Sequence, residues 1–494
     1  MADIRVHYVN ELHCRIDCEK SIAYEIWDQV SFFVPGYKFS PKFKAGIWDG
    51  KIRLLNLRTG LVFKNLLPTI YAWATEAGYS MELVEKAKFR PQVDFDPTWL
   101  DRWAEYGTME PMAHQREYIK EALTRNQCLA LSPTSSGKSY IIYMCVRYLL
   151  ENTEGKVLIT VPSTSLVEQL YSDFEEYAVD WDVGAHVQKL YGGMDKVMKN
   201  RVVISTWQSI YKNPPKWFAP FTSYFCDEAH GADAKSISGI IDNLPTCPIR
   251  IGLTGTLDGT LIHELEMRGR FGSVVKKITT RQLMDLGLVA KLTINCHRIK
   301  YTREECEAMY ASKDYEKEVD YVIGHEGRND FIVDLAMKEK GNTLILFNFI
   351  ERQGDLLHKK LQEAVAKEGR SVYYITGKMK TQERERIRKL MEQETGVVLL
   401  ATYGVLSTGV SIKNLDHIIF AHPYKAKIKN LQSIGRGLRL RKGKTDARLS
   451  DIGDDFSYTP RTKEWTNHLM KHFVERLKVY KSEEFDYEIF DTVL

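Results

Sequence analysis

The 494-residue chain is 44% hydrophobic and nearly balanced in charge, with 69 Lys and Arg against 65 Asp and Glu, a formal +4. That length and apolar content predict about three globular domains, and the balance excludes attraction to a polyanion by net charge alone, leaving only local patches for it. No apolar run approaches the ~18 residues of a membrane span, the start MADIRVHYVNELHC lacks a signal-peptide core, and the eight cysteines form no CxxC pair, so the chain reads as a cytoplasmic protein with reduced thiols.

Residues 1–90 predict a small α+β module, with a helix over KSIAYEIWDQVSFF followed by strand-like KIRLLNL and GLVFK. Between Tyr37 and Lys64, seven basic residues (Lys38, Lys42, Lys44, Lys51, Arg53, Arg58, Lys64) face one acid, Asp49, a local charge of 7 − 1 = +6. Tyr37, Phe39, Phe43, Trp48 and Phe63 are interleaved with them. The mixture suits nucleic acid: Lys42, Lys44, Lys51 and Arg53 would attract phosphates, and Trp48, ahead of the turn-forming Asp49-Gly50, would stack on exposed bases. Aromatic rings in a small core with lysines solvated around them are the competing reading.

After the connection FRPQVDFDPTWLDRWAEYGTMEP, residues 91–287 alternate short apolar strands (CLALS, KVLITVP, RVVIST, SYFCDEAH, RIGLTGT) with helical segments, the rhythm of a parallel sheet with crossover helices. The stretch CLALSPTSSGKSYIIYMC has the strand, loop and helix setting of a phosphate cradle. Backbone N–H groups of Ser135, Ser136 and Gly137 would face phosphate at the helix start, Lys138 would add a point charge, and the Ser139 hydroxyl would ligate Mg2+. Ser132 stands where the general pattern has glycine, so the loop alone is also compatible with an ordinary turn. A cradle requires an acidic partner on a neighbouring strand, and YFCDEAH offers one. Asp227 would hold hydrated Mg2+ while Glu228 orients or deprotonates the attacking water. Thr254-Gly255-Thr256 follows another strand of the same set.

The rhythm recurs over residues 288–450 in LTINCHRIKY, NTLILFNF, SVYYIT, GVVLLAT and HIIFAHP. There LQSIGRGLRLRKGK places Arg436 and Arg439 behind Gln432. An arginine finger contributes about 10³–10⁵ in rate, and one carried on a second lobe makes hydrolysis depend on lobe closure. Residues 451–494, with apolar spacing at Trp465, Leu469, Phe473 and Leu477, predict a helical extension packed on that lobe.

In this order the segments resemble the motifs of superfamily 2 helicases of the DExH type, over residues 112–440. The resemblance implies two tandem RecA-like lobes using ATP and Mg2+. It implies adenine reading by Gln115 in MAHQREYI, and a nucleotide contact by Gly409 in ATYGVLSTGVSI. It further implies coupling roles for His230, Thr254 and Thr256, and strand contacts by Ser165, Thr206, Asn348 and Thr402. The basic N-terminal module and the overall length resemble UvsW-type recombination and repair helicases of T-even bacteriophages. That likeness implies a monomeric motor in the host cytoplasm acting on branched, single-stranded and duplex DNA, with branch migration, fork regression and unwinding of RNA–DNA hybrids in R-loops. Residue chemistry alone leaves two other motors open, an RNA helicase and a restriction-type subunit; the latter would need a nuclease core, and none is evident outside the motor lobes.

Overall fold

The computed structural model describes residues 2–34, 36–106, 109–179, 181–229, 234–255, 261–407, 414–423, 435, 444–460 and 464–494. The chain divides into two compact units, Met1–Lys277 without the four loop residues Pro133–Ser136, and a second that holds Ile278–Leu494. Among the described residues no helix is long and apolar enough to cross a membrane, and all eight cysteines are free thiols.

The N-terminal module is a mixed four-stranded sheet with a separate hairpin. Its strands are β1 (Ile4–Tyr8), β2 (His13–Cys18), β3 (Ser31–Phe33), β4 (Lys51–Arg53), β5 (Leu61–Phe63) and β6 (Met81–Leu83). The sheet runs β5-β2-β1-β6, with β6 parallel to β1 and the other pairs antiparallel, while β3 and β4 pair only with each other. The helix predicted through Phe33 stops at Gln29, and its last three residues form β3. Its core joins Ile4, Val6, Ile22, Ile26, Val62 and Ile70. The module is tied to the adjoining sheet through Glu11, whose N–H donates to the Pro245 carbonyl (2.9 Å) and whose carbonyl accepts from Arg250 (2.8 Å). Arg250 is fully buried and also donates to the Gln127 side chain and the Cys247 and Arg270 carbonyls, so its charge is met by oxygens on every side.

The first large sheet has seven parallel strands: β7 (Gln127–Leu131), β8 (Lys156–Val161), β9 (Val187–Leu190), β10 (Val202–Thr206), β11 (Phe221–Cys226), β12 (Ile249–Thr254) and β13 (Ser273–Val275). They are ordered β13-β7-β12-β11-β8-β10-β9. Every residue of β10 and β12 is buried, and β10 accordingly opens on an apolar run, Val202-Val203-Ile204, whereas β12 alternates Ile249, Ile251 and Leu253 with Arg250, Gly252 and Thr254. The helix Lys138–Asn152 buries ten consecutive residues, Tyr140 to Leu149, as a helix enclosed on all sides does.

The second sheet repeats the plan with β14 (Lys291–Lys300), β15 (Thr343–Phe347), β16 (Val372–Ile375), β17 (Val398–Thr402), β18 (His417–Phe420), β19 (Asp446–Asp455) and β20 (Tyr487–Val493). Its order is β16-β17-β15-β18-β19-β14-β20, again all parallel. Two RecA-like lobes and a small α+β domain are therefore present, as the sequence predicts. The C-terminal segment departs from its expected form. Strand β19 runs through the expected boundary at 450, and beyond the helix His468–Ser482 the chain returns as β20, an edge strand pairing Tyr487 with Ile294 through Val493 with Lys300. The buried stripe of that helix is Leu469, Phe473, Arg476 and Tyr480, whereas Trp465 lies before it in a bridge to Tyr458.

Candidate active site

The carboxyl ends of β7, β12, β11 and β8 lie side by side, the edge at which parallel α/β sheets bind ligands. Register and backbone hydrogen bonds align the segments that follow. Thr254 pairs with Leu131, the Ser132 N–H donates to the Thr254 carbonyl (2.8 Å), and the Asp227 N–H donates to the Thr160 carbonyl (2.9 Å). The candidate phosphate loop, the Thr254 segment and the acidic pair thus follow one another along one edge, with β12 standing between the loop strand β7 and the acidic strand β11 rather than the two being adjacent.

Within the loop, the buried Ser136 donates its hydroxyl to the Pro133 carbonyl (2.7 Å), and Gly137 caps the helix that begins at Lys138. Gly137 has φ +84°, and a Cβ there would lie 2.2 Å from Gln115 Nε2. Gln115 is buried, and its Oε1 accepts the Met112 N–H (2.9 Å), capping the helix Ala113–Arg125. The expected adenine reader therefore lies directly against the cradle glycine. Lys138 Nζ lies 3.4 Å from Glu228 Oε1 and 3.4 Å from the Ser132 carbonyl. The Glu228 N–H donates to Asp227 Oδ1 (2.9 Å). Among the described residues five non-glycine residues have positive φ, and two of them are here, Ser135 at +68° and Glu228 at +50°, the kind of backbone strain that clusters at functional sites. Burial, reinforced by the Glu228 carboxylate and opposed by Lys138, pushes the Asp227 carboxyl up to about 7. Ser139 Oγ lies 2.9 Å from the Tyr177 hydroxyl, a partner that sequence reasoning did not find.

Comparison with known proteins gives this geometry a lineage. The profile of the N-terminal region of DNA helicase UvsW matches residues 3–84, that of the res subunit of type III restriction enzymes residues 108–259, and the helicase conserved C-terminal domain residues 327–441. The ATP-dependent DNA helicase uvsW of Enterobacteria phage T4 is 36% identical over 512 aligned positions, 98% of this chain and 98% of that protein. The chain belongs to the UvsW family of ATP-dependent DNA helicases. The crystal structure of T4 UvsW covers 99% of both chains at 32% identity with a TM-score of 0.51. A fragment of a putative HsdR subunit of a type I restriction enzyme from Vibrio vulnificus YJ016 shares the fold, at 15% identity and a TM-score of 0.55 over 88% of this chain and 84% of that one.

Other expected site residues are distributed as follows. Gly409, Gln432, Arg436, Arg439, His230 and Thr256 lie outside the described residues. Ser165 is exposed in the first turn of the helix Thr164–Tyr177, with its hydroxyl 2.9 Å from that of the N-cap Ser163. Thr206 is buried at the end of β10, its hydroxyl 2.7 Å from that of Ser209. Asn348 is exposed after β15, and Thr402 ends β17. The basic patch of the module splits in two. Lys51 is paired with Asp28, and Arg53 with Asp49 while its guanidinium stacks 3.7 Å from the Trp27 ring centroid. Asp28 lies outside the window from which the +6 is counted, on the neighbouring helix. Trp48, expected to be exposed, is half-buried, and its Nε1 donates to the Lys51 carbonyl (2.8 Å). The most exposed ring of the patch is Phe39, at 80%, near the exposed Lys42 and Lys44 and the 78% exposed Ile47. Tyr37 packs between Phe33, on which it stacks, and Phe43, which meets it edge-on.

Proposed function

We propose that the chain hydrolyses ATP to drive itself along DNA and remodel branched substrates, by branch migration, fork regression and displacement of RNA from R-loops, in recombination, repair and replication. The observation that carries the reading is the alignment of Lys138, Asp227, Glu228 and Thr254 along one sheet edge in a chain of this helicase family. In this reading the N–H groups of Ser135, Ser136 and Gly137 hold the triphosphate. Phosphate oxygens replace Glu228 and Ser132 as partners of the Lys138 ammonium, and Glu228 is released to orient and deprotonate the attacking water. Ser139 and Asp227 are hard oxygen donors of the kind Mg2+ takes alongside phosphate and water oxygens, so the residues present fit that ion. Bound there, Mg2+ neutralises charge on the phosphates. Gln432, Arg436 and Arg439 stabilise the transferring phosphoryl group, Gly409 contacts the nucleotide, and His230, Thr254 and Thr256 couple hydrolysis to movement.

Ser165, Thr206, Asn348 and Thr402 are the proposed strand contacts; they address phosphates, because movement along arbitrary sequence requires contacts that carry no base code. The test is ATP turnover with single-stranded DNA, duplex DNA, a four-way junction, an RNA–DNA hybrid and RNA. The reading expects the junction and single-stranded DNA to stimulate most and RNA least. Stimulation by RNA equal to that by DNA would favour an RNA helicase instead.

A further inference from the structure

The contact between Ser139 and Tyr177 joins the phosphate loop to a group that none of the motifs contains. Ser139 is the second residue of the helix Lys138–Asn152, and Tyr177 is the last residue of the helix Thr164–Tyr177, their hydroxyl oxygens 2.9 Å apart. The phenol ring is fixed by neighbours. Tyr140 meets it edge-on at 5.0 Å and Tyr143 at 5.5 Å, and Tyr143 is in turn packed against Phe174 (5.2 Å) and Trp181 (5.9 Å). A ring held on these sides presents its hydroxyl in one direction, towards Ser139.

A serine hydroxyl has one proton and two lone pairs. If an oxygen lone pair is given to a cation, the proton must be donated elsewhere, and the positive charge disfavours any hydrogen bond in which Ser139 is the acceptor. The Tyr177 hydroxyl, 2.9 Å away, can accept it, so the bond, which in the protein alone could run either way, is fixed with Ser139 donating. That arrangement turns the remaining lone pairs of Ser139 away from Tyr177 and makes the oxygen a better ligand, as hydrogen-bond partners of metal ligands do elsewhere.

Resting on the assignment of this loop to ATP and Mg2+, we propose that Tyr177 is a positioning residue that orients the Ser139 hydroxyl for the nucleotide-bound metal ion. Tyr177 closes the same helix that begins beside Ser165, about 18 Å away at about 1.5 Å per residue. The metal ligand is thereby linked through one rigid element to a residue assigned to strand contact.

The experiment measures ADP binding by calorimetry, with Mg2+ and in EDTA, for the parent full-length chain, Tyr177→Phe and Tyr140→Phe. Tyr177→Phe keeps the ring and removes the hydroxyl. It is expected to leave affinity in EDTA at the parental value and to reduce the gain in affinity produced by Mg2+ by about 10-fold or more. Tyr140→Phe removes a hydroxyl that donates to the Met109 carbonyl in the same cluster, and should retain the full gain. An unchanged Mg2+ gain in Tyr177→Phe, or an equal loss in both variants, would overturn the proposal. Absence of ADP binding by the parent protein would instead overturn the nucleotide-site reading on which it rests.

Discussion

Gly137 shows how one residue type follows from two separate constraints. Its φ of +84° is costly for any residue with a Cβ, and the Gln115 carboxamide occupies the space the Cβ would fill. Gly137→Ala is expected to displace Gln115, weaken nucleotide binding and destabilise the protein by about 1–3 kcal/mol. Gln115→Ala removes the obstruction but not the backbone strain. The double variant should therefore lose less stability than the two single variants summed, a difference that a double-mutant cycle by urea denaturation reads directly. Additive losses would mean that the carboxamide and the glycine do not meet. Glu228→Gln tests the chemistry: it keeps size and polarity but removes the base, so single-turnover hydrolysis should fall by at least about 10²-fold while ATP still binds. Loss of affinity with a normal rate would reverse the roles given to Glu228 and Asp227. The sequence shows which residues belong together here, because phosphate chemistry restricts residue types to a short pattern. It does not show Tyr177, since a tyrosine ending an amphipathic helix looks the same whether its hydroxyl meets water or Ser139.

At the scale of elements, the hairpin β3–β4 and the segment between its strands divide one basic patch into two kinds of cation. Lys51 and Arg53 are engaged by Asp28 and Asp49, so they hold the hairpin; Lys42 and Lys44 project from the short helix Pro41–Lys44 beside exposed Phe39. Replacing Lys42 and Lys44 with alanine should weaken junction binding and lower the slope of log affinity against log salt by up to about 1.8, or 0.9 for each duplex-phosphate contact. Replacing Lys51 and Arg53 should lower the melting transition and leave that slope near its parental value. The reverse pattern, read from salt titrations and thermal scans, would return the recognition role to the hairpin strands. Counting charges in a window found the patch but could not separate these roles, because Asp28 lies on an adjacent helix. The same limit explains β20. Its sequence YEIFDTV has four consecutive exposed residues, so no inward-outward alternation marks it, and only pairing with β14 makes it a strand. Buried strands such as β10 and β17 need no such partner information, because burial on both faces writes itself as an apolar run.

Across the whole molecule, the two units share a sheet plan but bury different ionisable groups. The strands of the first large sheet contain no histidine, whereas β18 of the second begins with His417 and is followed closely by His422, both buried. His417 Nε2 lies 2.9 Å from Ser450 Oγ, and burial with Arg448 nearby holds its pKa down to about 3. Burial and Arg328 likewise hold His422 down to about 3, Asp454 opposing them. The folded lobe therefore keeps both rings neutral, while the unfolded chain protonates them below about 6.5. Their contribution to stability is fully present above that pH and is lost as pH falls towards 3, at about 1.4 kcal/mol per pH unit for each ring. Between pH 6.5 and 5.5 ordinary carboxylates with pKa values near 4 contribute little, so in the second lobe this window reads the histidines, whereas in the first unit the raised Asp227 titrates. Amide-exchange protection of β15, β17 and β18, corrected for intrinsic rates, should fall by about 10²-fold between pH 7.5 and 5.5 where exchange requires unfolding of the lobe. Protection of β8 and β11 should not fall with it, because the buried Asp227 carboxyl, held up to about 7 in the folded first unit, takes up a proton in this range and adds stability as pH falls. His417→Gln removes one titrating ring and should reduce the fall in the second lobe to about 10-fold. Equal protection of β18 at the two pH values would show that these rings are not kept neutral by the fold.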